Sequence, residues 1–183
     1  QGEPFRLFAG NCVIQPPEIR HKVLYASDNI EVIEIGVPAE HVTTIDHDME
    51  LPTKEFNPER EFKGQKFVHN KAKESTWSDF RIPGFICRDT TIADNTQNVA
   101  GVQVVKPNGA TIKPSSHNCD ILFNFVMEGK MTLTASGQSA NELNSGDAFV
   151  IPPNVLTEYS NLSEDLELLE VSLPGRFKTH YDT

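Results

Sequence analysis

Two stretches of the sequence decide the fold: GNCVIQPPEIRHKVLYASDNIEVIEIGVP, residues 10–38, and GDAFVIPPNVLTEYSNLSEDLELLEVSLP, residues 146–174. They align without a gap at an offset of 136 residues, and each has a glycine at its start, a Pro-Pro pair and a proline at its end. The remaining apolar positions mostly match in kind. A repeat whose offset is the length of one small domain indicates two copies of one structural unit.

Each copy has the sequence pattern of antiparallel β structure. A Gly-Asn or Gly-Asp turn leads into a short apolar strand, and Pro-Pro then interrupts ladder hydrogen bonding and marks a bend. A strand follows, then a polar turn (ASDN or LSED) and an alternating strand (IEVIEI or LELLEV). Further short strands precede the second copy, whereas only nine residues precede the first. We therefore expect an all-β protein with one complete barrel and the C-terminal part of another, whose front is either lost from this chain or supplied by another chain.

The repeat divides the chain into four expected regions. Residues 1–50 are the C-terminal part of a first barrel and residues 51–75 are an irregular linker with at most one turn of helix. Residues 76–175 form the complete second barrel, and residues 176–183 are a tail. The sequence contains no convincing amphipathic helix of three turns.

The composition excludes two classes of partner. The formal net charge is −10, with 26 acidic against 16 basic residues, and phosphate binding needs concentrated Lys and Arg. We therefore expect no nucleic-acid partner. The longest apolar runs, such as ILFNFVM at residues 121–127, are far shorter than a bilayer crossing, so we expect no membrane partner.

Cysteine usage and the first residues predict a cytoplasmic protein. Cys12, Cys87 and Cys119 are an odd number without a C-x-x-C spacing, which fits reduced thiols better than a disulfide framework. The opening segment QGEPFRLFAG lacks the basic and apolar regions of a signal peptide.

The segment GATIKPSSHNCDILFNFVMEGKMTL, residues 109–133, followed by GDAFVIPPNVLTEYSN, residues 146–161, resembles the two signature motifs of the cupin superfamily. Those motifs are G-x5-H-x-H-x3,4-E-x6-G and G-x5-P-x-G-x2-H-x3-N. Five framework residues fall at the expected spacing, namely Gly109, Gly129, Gly146, Pro152 and Asn161. The resemblance implies cupin-type jelly-roll barrels, also called double-stranded β-helices, in the tandem arrangement of a bicupin.

In the complete barrel, the four positions at which the family motifs have metal ligands are occupied by Ser115, His117, Leu122 and Thr157. Only one of these four is a residue that the motifs require. His117 matches the second motif histidine. A protein metal site typically needs three or four N, O or S donors, and one histidine with two hydroxyls is a poor set. We therefore expect no metal in this barrel. The alternative is that Asp120 or Glu158, neither at a motif position, swings in as a ligand with His117.

In the first copy, His21 falls at the motif-two histidine position. The resemblance implies that it would be one ligand of a divalent transition metal (Fe, Mn, Ni or Zn) if the absent front half carried motif one. The alternative is a surface or pocket histidine without metal. The nearby cluster of His41, Asp46, His47 and Asp48 has a possible ligand spacing, but we interpret it as a solvated polar turn.

The strand ILFNFVM indicates two faces, because side chains alternate along a strand. Leu122, Asn124 and Val126 share the face that carries the family's ligands. The other face carries Phe123, Phe125 and Met127 and must be covered, which predicts a homo-oligomer or a second chain packed on apolar strand faces.

Five polar side chains are expected to line a cavity that orients a small-molecule ligand: Ser115, His117, Asn124, Thr157 and Tyr159. The alternative is that these groups satisfy one another or bind water. No motif of a hydrolase nucleophile, zinc protease or phosphate-binding loop is present.

Two function hypotheses remain open, because the fold alone does not fix function. The first is a bicupin that binds or transforms a small organic metabolite, with any metal chemistry in the barrel of His21. As an enzyme it would be a metal-dependent cupin of the dioxygenase, decarboxylase or isomerase type. The second is a non-catalytic small-ligand binding or assembly protein whose barrels both lack metal.

Overall fold

A computed structural model of the chain describes residues 3–40, 48, 50 and 52–182. The helical elements among them are α1 (Ile92–Asn95) and a 3-10 turn (Ala72–Glu74), so no described helix is long and apolar enough to span a membrane. The strands are β1 (Cys12–Ile14), β2 (Glu61–Phe62), β3 (Gln65–Lys66), β4 (Val68–Asn70), β5 (Ser78–Asp79), β6 (Phe85–Asp89), β7 (Gly101–Pro107), β8 (Ser115–His117), β9 (Ile121–Glu128), β10 (Lys130–Ala135), β11 (Asn141–Asn144), β12 (Ala148–Ile151), β13 (Thr157–Ser160), β14 (Glu167–Leu173) and β15 (Thr179–Tyr181).

Two antiparallel sheets form the complete barrel. One has the strand order β12-β9-β14-β7-β6-β5 and the other has the order β11-β10-β13-β8-β15. Side chains of both sheets meet in one buried apolar cluster, which includes Phe85, Val126, Met131, Tyr159 and Leu168. The sheets and the cluster confirm the predicted all-β, cupin-type jelly-roll class.

Alternation along β9 is as the sequence predicts. Leu122, Asn124 and Val126 are buried inside the barrel. The opposite face of β9 is half-buried at Phe123, Phe125 and Met127.

The C-terminal residues do more than form a tail. β15 pairs with β8 through Thr179 opposite His117, His180 opposite Ser116 and Tyr181 opposite Ser115. The complete barrel therefore extends to residue 181, because one edge of β8 offers the last residues a hydrogen-bonding partner.

The expected linker is also more ordered than its composition suggests. β2 and β3 form a small hairpin, and β4 pairs with β1. The buried side chain of Arg88 in β6 ties this region to the barrel, because its Nη1 donates to Asn70 Oδ1 at 3.2 Å and its Nη2 donates to Gly10 O at 3.0 Å. The chain from residue 8 to residue 14 is thereby held against the complete barrel.

The two copies follow the same backbone turns. Ile19 N donates to Pro16 O at 3.3 Å, and at the same offset Val155 N donates to Pro152 O at 3.4 Å. Two further turn hydrogen bonds recur in the same way, from Asn11 N to Phe8 O and Asp147 N to Asn144 O, and from Ile30 N to Ser27 O and Leu166 N to Ser163 O. Positive φ angles recur as well, at Gly10 (81°) and Gly146 (95°), and at Glu18 (67°) and Asn154 (65°). The Pro-Pro bends therefore lie in matching backbone settings.

Two strand predictions are wrong for the first copy. The segment after the Pro-Pro bend, residues 21–24, forms no strand, whereas its counterpart in the second copy is β13. IEVIEI, residues 30–35, belongs to no strand in the structure, whereas its counterpart in the second copy forms β14 between β7 and β9. A strand exists only where its backbone groups find a ladder partner, and the described residues offer none to 30–35. The side chains of this segment are exposed, including Val32 at 75%.

Candidate functional site

The five predicted ligand residues all lie inside the complete barrel, where they are buried. Ser115 and Thr157 sit opposite each other on β8 and β13, and Thr157 Oγ1 donates to Ser115 O at 3.2 Å. Asn124 lies on the other sheet, opposite Glu170 of β14. The strand alternation of β8, β9, β13 and β14 thus directs polar groups from both sheets into one interior.

Both ring nitrogens of His117 are engaged by backbone groups. Its Nδ1 accepts from the Cys119 amide at 3.1 Å, and its Nε2 lies 3.2 Å from Ile151 O, a group that only accepts. The proton therefore resides on Nε2. Burial and the charge of Arg81 lower the pKa of His117, so the ring is neutral and presents no free lone pair to a metal.

An ion pair that the sequence did not reveal lies in the same interior. Arg81 Nε donates to Glu170 Oε1 at 3.2 Å, its Nη2 donates to Glu170 Oε2, and its Nη1 donates to Thr179 Oγ1 at 3.2 Å. The guanidinium also lies over the rings of Phe80 and Phe177, 4.8 and 4.9 Å from their centroids. Burial alone would lower the pKa of Arg81, but the charge and hydrogen bonds of Glu170 leave it above its ordinary value.

One sequence signal could have identified Glu170, which is not among the site residues predicted above. In LELLEV, strand alternation puts Glu170 on the same inward face as Leu168, and a carboxylate at an inward position requires a partner. Arg81, however, lies 89 residues away in sequence, and nothing in its local sequence identifies it as the partner.

Tyr159 lines an open cleft and is near enough to Arg81 and Glu170 for both charges to act on its hydroxyl. Its ring meets Phe85 and Phe149 edge-on, with centroids 5.9 and 6.4 Å apart. Burial and the charge of Glu170 raise the pKa of Tyr159, so its hydroxyl stays protonated well beyond neutral pH. The cleft has a volume of about 570 Å³ and lies between the loop after β7 and the loop after β13, with its lining contributed by residues 84, 107–110, 112 and 159–164.

The side-chain amide of Asn124 differs from the other buried polar groups of the interior because its nitrogen has no hydrogen-bond partner. Asn124 is 1% exposed, and its Nδ2 has no hydrogen-bond acceptor. It is the only buried side-chain nitrogen or oxygen of the described residues in that condition. Leaving a buried donor unsatisfied typically costs about 1–3 kcal/mol.

The residues present in the complete barrel do not fit a metal ion. No group of three or more His, Cys, Asp and Glu side chains that could hold one occurs in the part of the chain that the structure describes. The two alternative ligands, Asp120 and Glu158, are exposed, and Glu158 points away from the interior because its neighbours Thr157 and Tyr159 point inward.

The described residues of the first copy do not assemble a donor set either. His21 is exposed and stands where the second copy has Thr157. Of the predicted polar turn, His41, Asp46 and His47 lie outside the described residues, and Asp48 is exposed.

Comparison with known proteins places the fold. Residues 101–172 match the profile of a family described as "Cupin domain". No curated protein sequence matches the chain.

Solved structures share the architecture at low sequence identity. The polyketide cyclase RemF from Streptomyces resistomycificus is 18% identical over 63% of this chain and 84% of its own, with a TM-score of 0.51. Streptomyces PAC13 with uridine is 15% identical over 62% of this chain and 89% of its own, with a TM-score of 0.50. KdgF from Halomonas sp. is 20% identical over 58% and 94%, with a TM-score of 0.49. At these identities the RemF and PAC13 structures show that the fold is shared, and the segment from β7 to β14 is similar to the cupin domain family.

Proposed function

We propose that the complete barrel binds a small, electrically neutral organic metabolite, and that the ligand accepts a hydrogen bond from Asn124 Nδ2. The observation that carries this proposal is the missing acceptor of that buried amide. A site built to donate to a ligand keeps an unsatisfied donor when it is empty, and the ligand then supplies the acceptor.

The charges of the interior favour a neutral ligand. Arg81 and Glu170 neutralise each other, and the pKa shifts keep His117 and Tyr159 uncharged at neutral pH. A buried anion would add an uncompensated charge, which is costly in a poorly solvated interior. A carbonyl or hydroxyl oxygen supplies the acceptor without that cost. Of the five predicted residues, Tyr159 lines the open cleft, and we propose this cleft as the approach to the interior.

We further propose a bicupin organisation with metal binding confined to the barrel of His21. The recurring turns of residues 8–30 and 144–166 support the first part, and the engaged nitrogens of His117 support the second. Transformation of the metabolite would then belong to the first barrel, and the second barrel would bind without metal chemistry. A cytoplasmic location stays a prediction.

The ligand proposal is tested by thermal unfolding of the 183-residue chain with and without probe compounds. Uridine, which is neutral and is present in the PAC13 structure, serves as the acceptor-bearing probe, and oxalate serves as the anionic one. We expect uridine at millimolar concentration to raise the melting temperature and oxalate to leave it unchanged. A shift with oxalate and none with uridine contradicts the proposed neutrality of the ligand.

The Asn124→Leu variant separates ligand binding from stability. Because leucine removes the unsatisfied donor at similar volume, we expect the free variant to be more stable by about 1 kcal/mol while the uridine shift disappears. Asn141→Leu is the matched control, since Asn141 is exposed on β11 and should keep the wild-type shift. A uridine shift that survives in Asn124→Leu contradicts the assigned contact.

Metal confinement is tested by elemental analysis of the natural protein and of its His21→Ala and His117→Ala variants. We expect any bound transition metal to be lost with His21→Ala and kept with His117→Ala. Loss of metal with His117→Ala alone contradicts the proposal.

A further inference from the structure

Residues 21–37 belong to no strand among the described residues and expose a row of apolar side chains. Eight large apolar residues there are exposed by two fifths or more, namely Val23, Leu24, Tyr25, Ile30, Val32, Ile33, Ile35 and Val37. Exposed apolar surface that is contiguous, next to extended backbone without a strand partner, is typical of a surface that binds another polypeptide. We refer to residues 12–37 as the open half-barrel.

The internal repeat shows what such a surface is built to contact. In the second copy, β14 lies between β7 and β9, β13 pairs with β10 and β8, and β12 pairs with β9. All four covering strands come from residues 101–135, the front half of the complete barrel. The turns that set these paths recur in the open half-barrel at the same offset.

We infer that the open half-barrel is covered by a cupin front half, that is, four antiparallel strands equivalent to β7 to β10, contributed by polypeptide outside these 183 residues. This rests on the bicupin organisation proposed above. Strands equivalent to β7 and β9 would flank residues 31–37, and a strand equivalent to β10 would flank residues 21–24. The register puts Val32 and Glu34 in the new interior, where the second copy has Leu168 and Glu170.

The existing contacts leave room for this partner. β1 pairs with β4 along one edge, and no second strand among the described residues pairs with it. An equivalent of β9 would take the second edge of β1, in the way that β9 is the neighbour of β12. Arg88 holds Gly10 from the side of the second barrel. The open half-barrel is thus anchored at its start and uncovered where the partner strands would lie.

A second copy of this chain fits the surface less well. If residues 30–35 of two copies paired antiparallel about their centre, Val32 would face Ile33 and Glu31 would face Glu34. Like charges directly opposite each other destabilise a strand pair. The front half of a second copy is already used by its own β12, β13 and β14.

The first test uses hydrogen exchange and light scattering on the 183-residue chain. We expect a monomer in which the amides of residues 31–37 exchange close to the rate of an unstructured chain, while those of 167–173 are protected. Protection of 31–37 in the monomer overturns the inference, because the segment would then be covered from within the chain. A homodimer with protected 31–37 also overturns it, because a second copy would be the occupant.

The second test supplies a front half. At the offset of 136, residue 137 corresponds to residue 1, so a duplicate of residues 76–136 fused directly to Gln1 reproduces the spacing of the complete barrel. We expect exchange of residues 31–37 to slow by at least about 100-fold in the fusion. Unchanged exchange overturns the inference.

Two point variants make this result specific. Val32→Lys should leave exchange and stability of the 183-residue chain unchanged, because Val32 is 75% exposed, but should abolish the protection gained in the fusion. Glu31→Lys is the matched control, because its counterpart Glu167 is only half-buried, and it should keep the protection. Equal effects of both variants overturn the assigned register. These readouts do not involve uridine, so failure here and failure of the ligand proposal are distinguishable.

Discussion

Removing the guanidinium of Arg81 is expected to lower the free energy of unfolding far more than removing the guanidinium of an exposed arginine. The side chains of Arg81 and Glu170 are 19% and 5% exposed, and Arg81→Met would leave the Glu170 carboxylate buried without a counter-charge. Breaking a buried pair from one side typically costs about 3–5 kcal/mol. For a chain of this length, that corresponds to a fall in melting temperature of about 6–20 °C.

The measurement is a double-mutant cycle by urea unfolding monitored with circular dichroism. Arg81→Met and Glu170→Leu should each be destabilising, whereas the double variant should lie within about 1–2 kcal/mol of wild type, because an apolar pair replaces an ion pair at little net cost. The coupling between the two sites should therefore be at least about 2 kcal/mol. This coupling separates the ion pair from the general cost of changing buried side chains.

Arg176→Met provides the control. Arg176 also pairs with a carboxylate, Asp94, but the two side chains are 66% and 62% exposed. Exposed pairs contribute about 0–1 kcal/mol, so this variant should unfold close to wild type. A cost for Arg81→Met no larger than that for Arg176→Met would refute the view that the interior around Glu170 is poorly solvated.

Three further predictions concern the same barrel. Because the pKa of His117 is lowered in the folded state, the unfolded state takes up a proton first as the pH falls. The free energy of unfolding should therefore decrease below about pH 6.5. Urea unfolding at pH 7.5 and 5.5 should show a smaller decrease for His117→Gln than for wild type. Because the pKa of Tyr159 is raised, its hydroxyl should stay protonated through the usual tyrosine range near pH 10 in an absorbance titration. Stability should fall as the pH rises above that value, and Tyr159→Phe should remove the late ionisation step. Gly129→Ala should destabilise the fold by about 1–3 kcal/mol in thermal unfolding. The φ angle of Gly129 is +73°, and an added Cβ would lie 2.8 Å from the backbone of Leu166. An unchanged melting temperature would mean that the backbone of this turn can shift.

The inward and outward faces of β9 could be predicted because they depend on the chain's own period of two. Alternation put Asn124 on the same face as Leu122, and the resemblance to the cupin motif, which has a ligand at that position, indicated that this face is the inner one. Its lack of an acceptor could not be predicted, since that depends on which atoms β14 and β12 bring beside it.

The role of His117 is a second case in which the sequence was insufficient. A family motif identifies the residue at that position, but the backbone amide of Cys119 and the carbonyl of Ile151 take both of its nitrogens. Ile151 is 34 residues away in sequence, so its approach depends on how β12 packs against β8.

The sequence by itself determined the repeated turns, because Gly10 and Gly146 and the two Pro-Pro pairs act over a few residues of backbone. Only the tertiary structure decided which copy becomes sheet, since a strand needs a neighbour and residues 30–35 have none among the described residues. The ion pair of Arg81 and Glu170 was likewise decided by packing, because a buried charge is satisfied by whatever the fold brings near it and the sequence does not record that distance.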